Sequence, residues 1–347
     1  MALRTPERAR AGPALPYGGY AGPLRGQDGR VASSVKPDHD THAPRGERPG
    51  RAAGGASSPG AMPRRRSALA AVLLSGPAAL ALPACRARRE EPDERLAYKA
   101  TAQGELRLDW FRAAGSKAAP ALLLFHGGAW AHGSPRQFHP LCRHLAARGL
   151  HALSAEYRLR DRHHSSPADA VQDARDAMRH LRREAGALGI DRQRIAAGGG
   201  SAGGHLAACL GTGVSLPDPG ADPALPVRPS ALVLLNPMLD LGPGRPDHAL
   251  VGTRWRELSP RQHVGPGMPP TLIVNGTADT DVPVATVQDF CTAARAHSGD
   301  CEAVFREGAG HGFFNAEVDR GRHVAFTWAA IEAFLRRVGH LKPSLSS

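Results

Sequence analysis

Arg194-Ile195-Ala196-Ala197-Gly198-Gly199-Gly200-Ser201-Ala202-Gly203-Gly204-His205-Leu206-Ala207 runs from a short apolar segment through a glycine-rich turn into a second apolar segment. Residues 194–197 read as a buried strand and 202–210 as a helix, so Gly199-x-Ser201-x-Gly203 falls on a strand-to-helix turn. Such a turn forces its central residue into strained backbone geometry, and side chains two places before or after it would clash. It lifts the Ser201 hydroxyl above the sheet edge, beside helix N-terminal amides whose partial positive charge favours an anion. By itself the pattern also fits a phosphate-cradling loop or a plain tight turn, because glycine abounds in this chain. The flanking strand and helix favour the nucleophile.

Outward from this turn, apolar runs alternate with amphipathic stretches. Residues 121–125, 151–156, 231–235, 271–274 and 301–305 read as strands. Residues 138–148, 167–184, 284–296 and 323–338 read as helices, the second carrying Ala170, Val171, Ala174, Met178 and Leu181 at helical spacing. Its Asp173, Arg175 and Asp176 read as a solvated face. The alternation predicts an α/β fold with a mostly parallel central sheet and helices on both faces. Segments 215–229 and 241–270 are long for connections and are expected to shape a pocket above the sheet.

A serine nucleophile needs a base, and the base needs an orienting group. His311 follows strand 301–305, and Asp279 follows strand 271–274. Asp281 rivals Asp279; Asp279 is preferred because it comes first after the turn, while Val282-Pro283 already redirect the chain. Leu124-Phe125-His126-Gly127-Gly128-Ala129-Trp130 closes an upstream strand. Its glycines leave the N–H groups of Gly127 and Gly128 free to join that of Ala202 in an oxyanion hole. His126 reads as a structural hydrogen-bonder, Trp130 as packing, His205 as a core residue and His163-His164 as part of a solvated loop. Asn236 and Asp240 end a strand on the same side and are candidates for a pocket role.

These pieces, with Glu156-Tyr157-Arg158, Gly276-Thr277-Ala278-Asp279 and Gly310-His311-Gly312-Phe313-Phe314, resemble the α/β-hydrolase superfamily. Within it they resemble serine esterases of the hormone-sensitive-lipase-like and feruloyl/acetyl-xylan-esterase-like bacterial groups, over residues 99–342. The resemblance implies Ser201, Asp279 and His311 as a triad, with acyl transfer from short-acyl carboxylic esters, acetylated carbohydrates among them. It implies no cofactor and no metal. Ala129 stands at the third glycine of the fuller His-Gly-Gly-Gly pattern and still offers an N–H. A peptidase or amidase on the same triad, or a binding protein on this fold, are the rival readings.

The chain has 347 residues and a formal net charge of +12. Residues 1–85 carry 12 basic and 5 acidic side chains, so most of the excess lies outside the hydrolase-like region, and no nucleic-acid partner is expected. Composition excludes coiled coil, collagen and polytopic membrane protein. Residues 1–61, rich in glycine and proline, read as disordered or as an extension wrongly included, with Met62 as the true start. Arg64-Arg65-Arg66, an apolar run over 68–84 and Leu82-Pro83-Ala84-Cys85 make residues 62–85 a lipoprotein-like secretory signal segment. Residues 86–98 read as a linker and 99–342 as the catalytic domain. The expectation is an exported cell-envelope or secreted protein, with membrane attachment through a lipidated Cys85. In an oxidising compartment Cys291 and Cys301, which flank a helix-to-strand connection, are candidates to pair. The alternative is four buried thiols at Cys142, Cys209, Cys291 and Cys301. No cysteine or histidine spacing suggests a metal site.

Overall fold

A computed structural model describes residues 91–343 apart from 116, 117, 215, 219–221 and 298. The extension 1–61, the signal segment 62–85 with Cys85, and the start of the linker lie outside the described residues.

The described chain forms an eight-stranded sheet in the order β1-β2-β4-β3-β5-β6-β7-β8. Strands β1 (Glu94–Thr101) and β2 (Gly104–Phe111) form an antiparallel hairpin, and β2 runs antiparallel to β4 (His151–Ala155). From β4 onward every pairing is parallel, through β3 (Ala119–Phe125), β5 (Ile190–Gly200), β6 (Leu232–Leu235), β7 (Thr271–Gly276) and β8 (Cys301–Arg306). This is the mostly parallel α/β sheet the alternation predicts, and it fits the hydrolase fold that the resemblance implies. Two readings change. The linker 86–98 already enters the sheet at Glu94. The strand expected at 194–197 extends over 190–200.

The buried strands alternate their side chains between two cores. Leu122 and Leu124 of β3 face one core with Leu141 and Leu145 of α1 (His139–Ala146) and Phe334 of α5 (Val324–Arg337). Leu123 and Phe125 face the other, with Met178 of α2 (Pro167–Leu188), Leu206 of α3 (Ala202–Thr212) and Phe290 of α4 (Val284–Ala296). Period-two strands between amphipathic helices thus remove both sheet faces from water. Helix α2 starts with a capping box, in which Ser166 and Asp169 satisfy each other's backbone N–H groups, and ends at Gly189 in the left-handed region. Its Asp173 is not on a solvated face: it is fully buried and holds Lys99 of β1 at 2.6 Å and Arg158 at 2.8 Å. A carboxylate can be buried there because two cations and the Arg158 N–H surround it.

Cys291 of α4 and Cys301 at the start of β8 form a disulfide, with their Cα atoms 5.2 Å apart. Cys142 and Cys209 are buried free thiols. Because β3, β5, β7 and β8 all run parallel, the loops that follow them emerge at one end of the sheet. Those loops carry His126 to Trp130, Ser201, Asp279 and His311.

Candidate active site

Ser201 sits between β5 and α3 at φ 54°, ψ −118°, a conformation that L-residues rarely adopt. The turn is held from below: the Ser201 N–H donates to the Leu235 carbonyl at 2.9 Å. A Cβ on Gly199 would meet Phe125 O at 2.5 Å, and one on Gly203 would meet the same oxygen at 1.9 Å. These contacts explain the glycines on either side of Ser201.

The loops bring Ser201, His311 and Asp279 into one hydrogen-bonded chain. His311 Nε2 lies 2.9 Å from Ser201 Oγ, and His311 Nδ1 lies 2.9 Å from Asp279 Oδ2. The Asp279 carboxylate is buried and accepts from the backbone N–H of Val282 at 2.8 Å and of Asp281 at 3.0 Å. Asn236 Nδ2 donates to Asp279 Oδ2 at 2.6 Å and so fixes its second oxygen. The rival Asp281 reaches only 4.0 Å from His311 Nδ1 and is half exposed. Of the two carboxylates, Asp279 is therefore the one within hydrogen-bond reach of His311 Nδ1.

Of the three backbone N–H groups expected to be free beside Ser201, one is not. The Gly127 N–H donates to Gln137 Oε1 at 2.7 Å, because the 3₁₀ turn Pro135–Phe138 sets that side chain against the loop. It is therefore committed within the protein. Among the described residues the N–H groups of Gly128, Ala129 and Ala202 have no intramolecular acceptor. Gly128 and Ala129 line the same cavity as Ser201, and Ala202 is the first residue of α3. His126 is buried and its Nδ1 lies 2.7 Å from Gly127 O, with its ring stacked on Tyr157. Burial lowers its pKa to about 4, so it stays neutral. His205 is likewise buried, with Nε2 2.8 Å from Leu258 O.

The cavity above Ser201 has a volume of about 310 Å³ and is lined in part by Met238, Asp247, Asp281, His311 and Phe314. Asp247 comes from the segment 241–270 expected to shape a pocket; none of the described residues of segment 215–229 lines this cavity. Burial, then the charge of Asp281, raises the Asp247 pKa above the usual carboxylate value. No group of three or more metal-ligating side chains occurs among the described residues. Gln137, Asn315 and Asp247 carry no motif of their own and were not singled out from the sequence, whereas the Ala129 N–H is the one the sequence offers at the third position of the His-Gly-Gly pattern.

Burial works against the charged imidazole of His311. The hydrogen bond to Asp279 and the charges of Asp279, Asp281 and Asp247 outweigh it, holding the pKa above the ordinary 6.5. A base must be neutral to take a proton, so activity is present above the raised pKa and lost as pH falls through it. The acid limb of kcat/KM is therefore expected above pH 6.5. Asp281→Asn should move it to lower pH. An acid limb at or below the ordinary value would contradict this electrostatic account.

The BD-FAE family matches residues 108–217. The chain is 32% identical to Esterase LipC of Mycobacterium tuberculosis over 246 residues, which is 64% of this chain and 59% of that protein. It is 37% identical over 139 residues to an ethyl acetate hydrolase of Pseudomonas putida, covering 40% of this chain and 41% of that one. The chain thus spans less than two thirds of the curated relatives' length. An esterase of the planctomycete Thermogutta terrifontis superposes with a TM-score of 0.67 at 38% identity, covering 73% of this chain and 95% of the esterase. Structures of that esterase with propionate bound and phosphorylated by paraoxon match at the same TM-score of 0.67.

Proposed function

The chain belongs to the BD-FAE-like esterases of the α/β-hydrolase fold, and from that premise we propose that it hydrolyses short-acyl carboxylic esters through an acyl-enzyme on Ser201. The observation that carries this reading is the chain Ser201–His311–Asp279, with both links at 2.9 Å, opening onto a cavity beside three uncommitted N–H groups.

In the proposed cycle, Ser201 Oγ attacks the ester carbonyl as His311 Nε2 takes its proton. Asp279 accepts from Nδ1–H, which keeps the ring in the working tautomer and stabilises the imidazolium. The carbonyl oxygen becomes an oxyanion and receives hydrogen bonds from Gly128, Ala129 and Ala202. One such donor lowers the barrier by about 3–4 kcal/mol. Collapse breaks the C–O bond, and the leaving alkoxide takes the proton from His311. Water, deprotonated by the same imidazole, then attacks the acyl-enzyme and releases the acid and free Ser201.

The modest cavity and the propionate complex of the Thermogutta esterase support a short acyl group. The carboxylates of Asp247 and Asp281 at the rim support a hydroxylated alcohol portion, such as an acetylated sugar. A p-nitrophenyl series from acetate to laurate tests the reading. Turnover is expected to peak at acetate to butyrate and fall at least tenfold by octanoate. A peak at laurate would overturn the short-acyl assignment; no ester turnover by folded protein would overturn ester hydrolysis itself.

A further inference from the structure

Gln137 lies outside every motif that defines the site, yet its amide joins two of the loops that build it. Its Oε1 accepts from Gly127 N at 2.7 Å, and its Nε2 donates to Asn315 Oδ1 at 2.9 Å. Asn315 Nδ2 in turn donates to Gly312 O at 2.9 Å, one residue beyond His311. The turn that presents Gln137 is itself anchored: its own N–H donates to Ser134 O, and the neighbouring Phe138 ring stacks on Phe314 with centroids 6.0 Å apart.

Peptide planarity gives this link a consequence. The Gly127 N–H and the Gly127 carbonyl belong to consecutive peptide planes. Gln137 holds the first, and His126 Nδ1, at 2.7 Å from Gly127 O, holds the second. In a trans peptide the N–H points opposite to the carbonyl, so fixing Gly127 O fixes the direction of the Gly128 N–H. Gly127 has no side chain to resist rotation, and an added Cβ there would already press on Gly200 O at 3.2 Å and Ser201 Cβ at 3.4 Å. Without Gln137, the first plane would depend on solvent for its acceptor.

We propose that Gln137 is a positioning residue: it aligns the Gly128 and Ala129 N–H groups with Ser201 and locks that alignment to the His311 loop through Asn315. The inference rests on the ester-hydrolase reading of the same site. It concerns transition-state alignment, not ground-state binding, since Gln137 acts through backbone donors that need good geometry only when the oxyanion forms.

The test compares wild type, Gln137→Met and Gln137→Glu on p-nitrophenyl acetate. Methionine keeps the length but removes both polar atoms, and kcat is expected to fall about ten- to a hundredfold with KM within about threefold. Inhibition by a trifluoromethyl ketone, which forms the tetrahedral adduct, should weaken in proportion to kcat/KM. The acid limb of the pH profile should stay in place, because Asp279 and His311 are untouched. Glutamate can still accept from the Gly127 N–H and from a turned Asn315 amide, and should recover most of kcat. The inference is overturned if the methionine variant keeps full kcat. It is also overturned if its loss appears only in KM, or follows the melting temperature without recovery by glutamate. Failure of the wild type itself to turn over any ester would instead remove the ester-hydrolase reading, and this inference with it.

Discussion

Ser201→Ala is expected to lower kcat on p-nitrophenyl acetate by about 10⁴- to 10⁶-fold, the order of loss that removing a member of a serine triad brings. The magnitude follows from the proposed chemistry. Without Oγ no acyl-enzyme can form, and the residual rate comes from the oxyanion donors acting on attack by water. The fold should not change, because the Ser201 side chain makes one hydrogen bond, to His311, while the backbone of the turn is held by its own N–H on Leu235. Melting temperature and circular dichroism check this in the same preparation. A loss below about a hundredfold would place the nucleophile elsewhere.

Gly203→Ala is expected to have the largest effect on stability. The added Cβ would lie 1.9 Å from Phe125 O and 2.5 Å from His126 O. Both oxygens belong to the backbone at the end of β3, in the middle of the sheet, so neither can retreat as a side chain could. Overpacking of this kind costs about 3 kcal/mol or more. In a domain of this size that lowers the melting temperature by about 6–12 °C. The displaced turn carries Ser201, so activity should fall further than stability alone explains. Gly186→Ala is the internal control: nothing lies within 4 Å of its added Cβ, and it sits in α2 with ordinary helical geometry. That variant should be neutral or more stable by about 0.5–1 kcal/mol. Equal melting temperatures for the two variants would contradict the packing account of the serine turn.

How legible each part was depends on the kind of constraint that acts on it. Gly199 and Gly203 are visible in the sequence because backbone crowding excludes every other residue there, so the constraint is local and leaves its mark in the chain. The parallel strands are visible because both their faces are buried, which makes them continuous apolar runs such as Leu122 to Phe125. The β1–β2 hairpin was not read as strand: Glu94, Arg95, Lys99, Glu105 and Arg107 interrupt the apolar pattern at an edge where one side meets solvent. Asp173 misled for the opposite reason. Its charge suggests water, and only the fold brings Lys99 and Arg158 around it.

The meeting of Ser201, Asp279 and His311 in one hydrogen-bonded chain was legible through glycine-flanked loops at strand ends. Asn236, whose side chain secures Asp279, was legible only as a polar residue at a strand end. Gln137 and Asn315 left no trace, because their contact joins positions 178 residues apart and depends on how two irregular loops meet. For the same reason Gly127 was misassigned as a free donor: nothing in its neighbourhood along the chain announces the acceptor that occupies its N–H.

The central claim is that Ser201 is the group that becomes acylated, and reaction with paraoxon tests it most directly. The Thermogutta esterase, 38% identical, has been solved phosphorylated by this compound. Attack by Ser201 Oγ on phosphorus would expel p-nitrophenolate and leave a diethylphosphoryl ester that deacylates slowly enough to weigh. Intact-mass measurement followed by peptide mapping should find one adduct per chain, on the peptide containing Ser201, and none on the Ser201→Ala variant. Folded protein that takes up no adduct, or that carries it on another residue with Ser201 unmodified, would contradict the account.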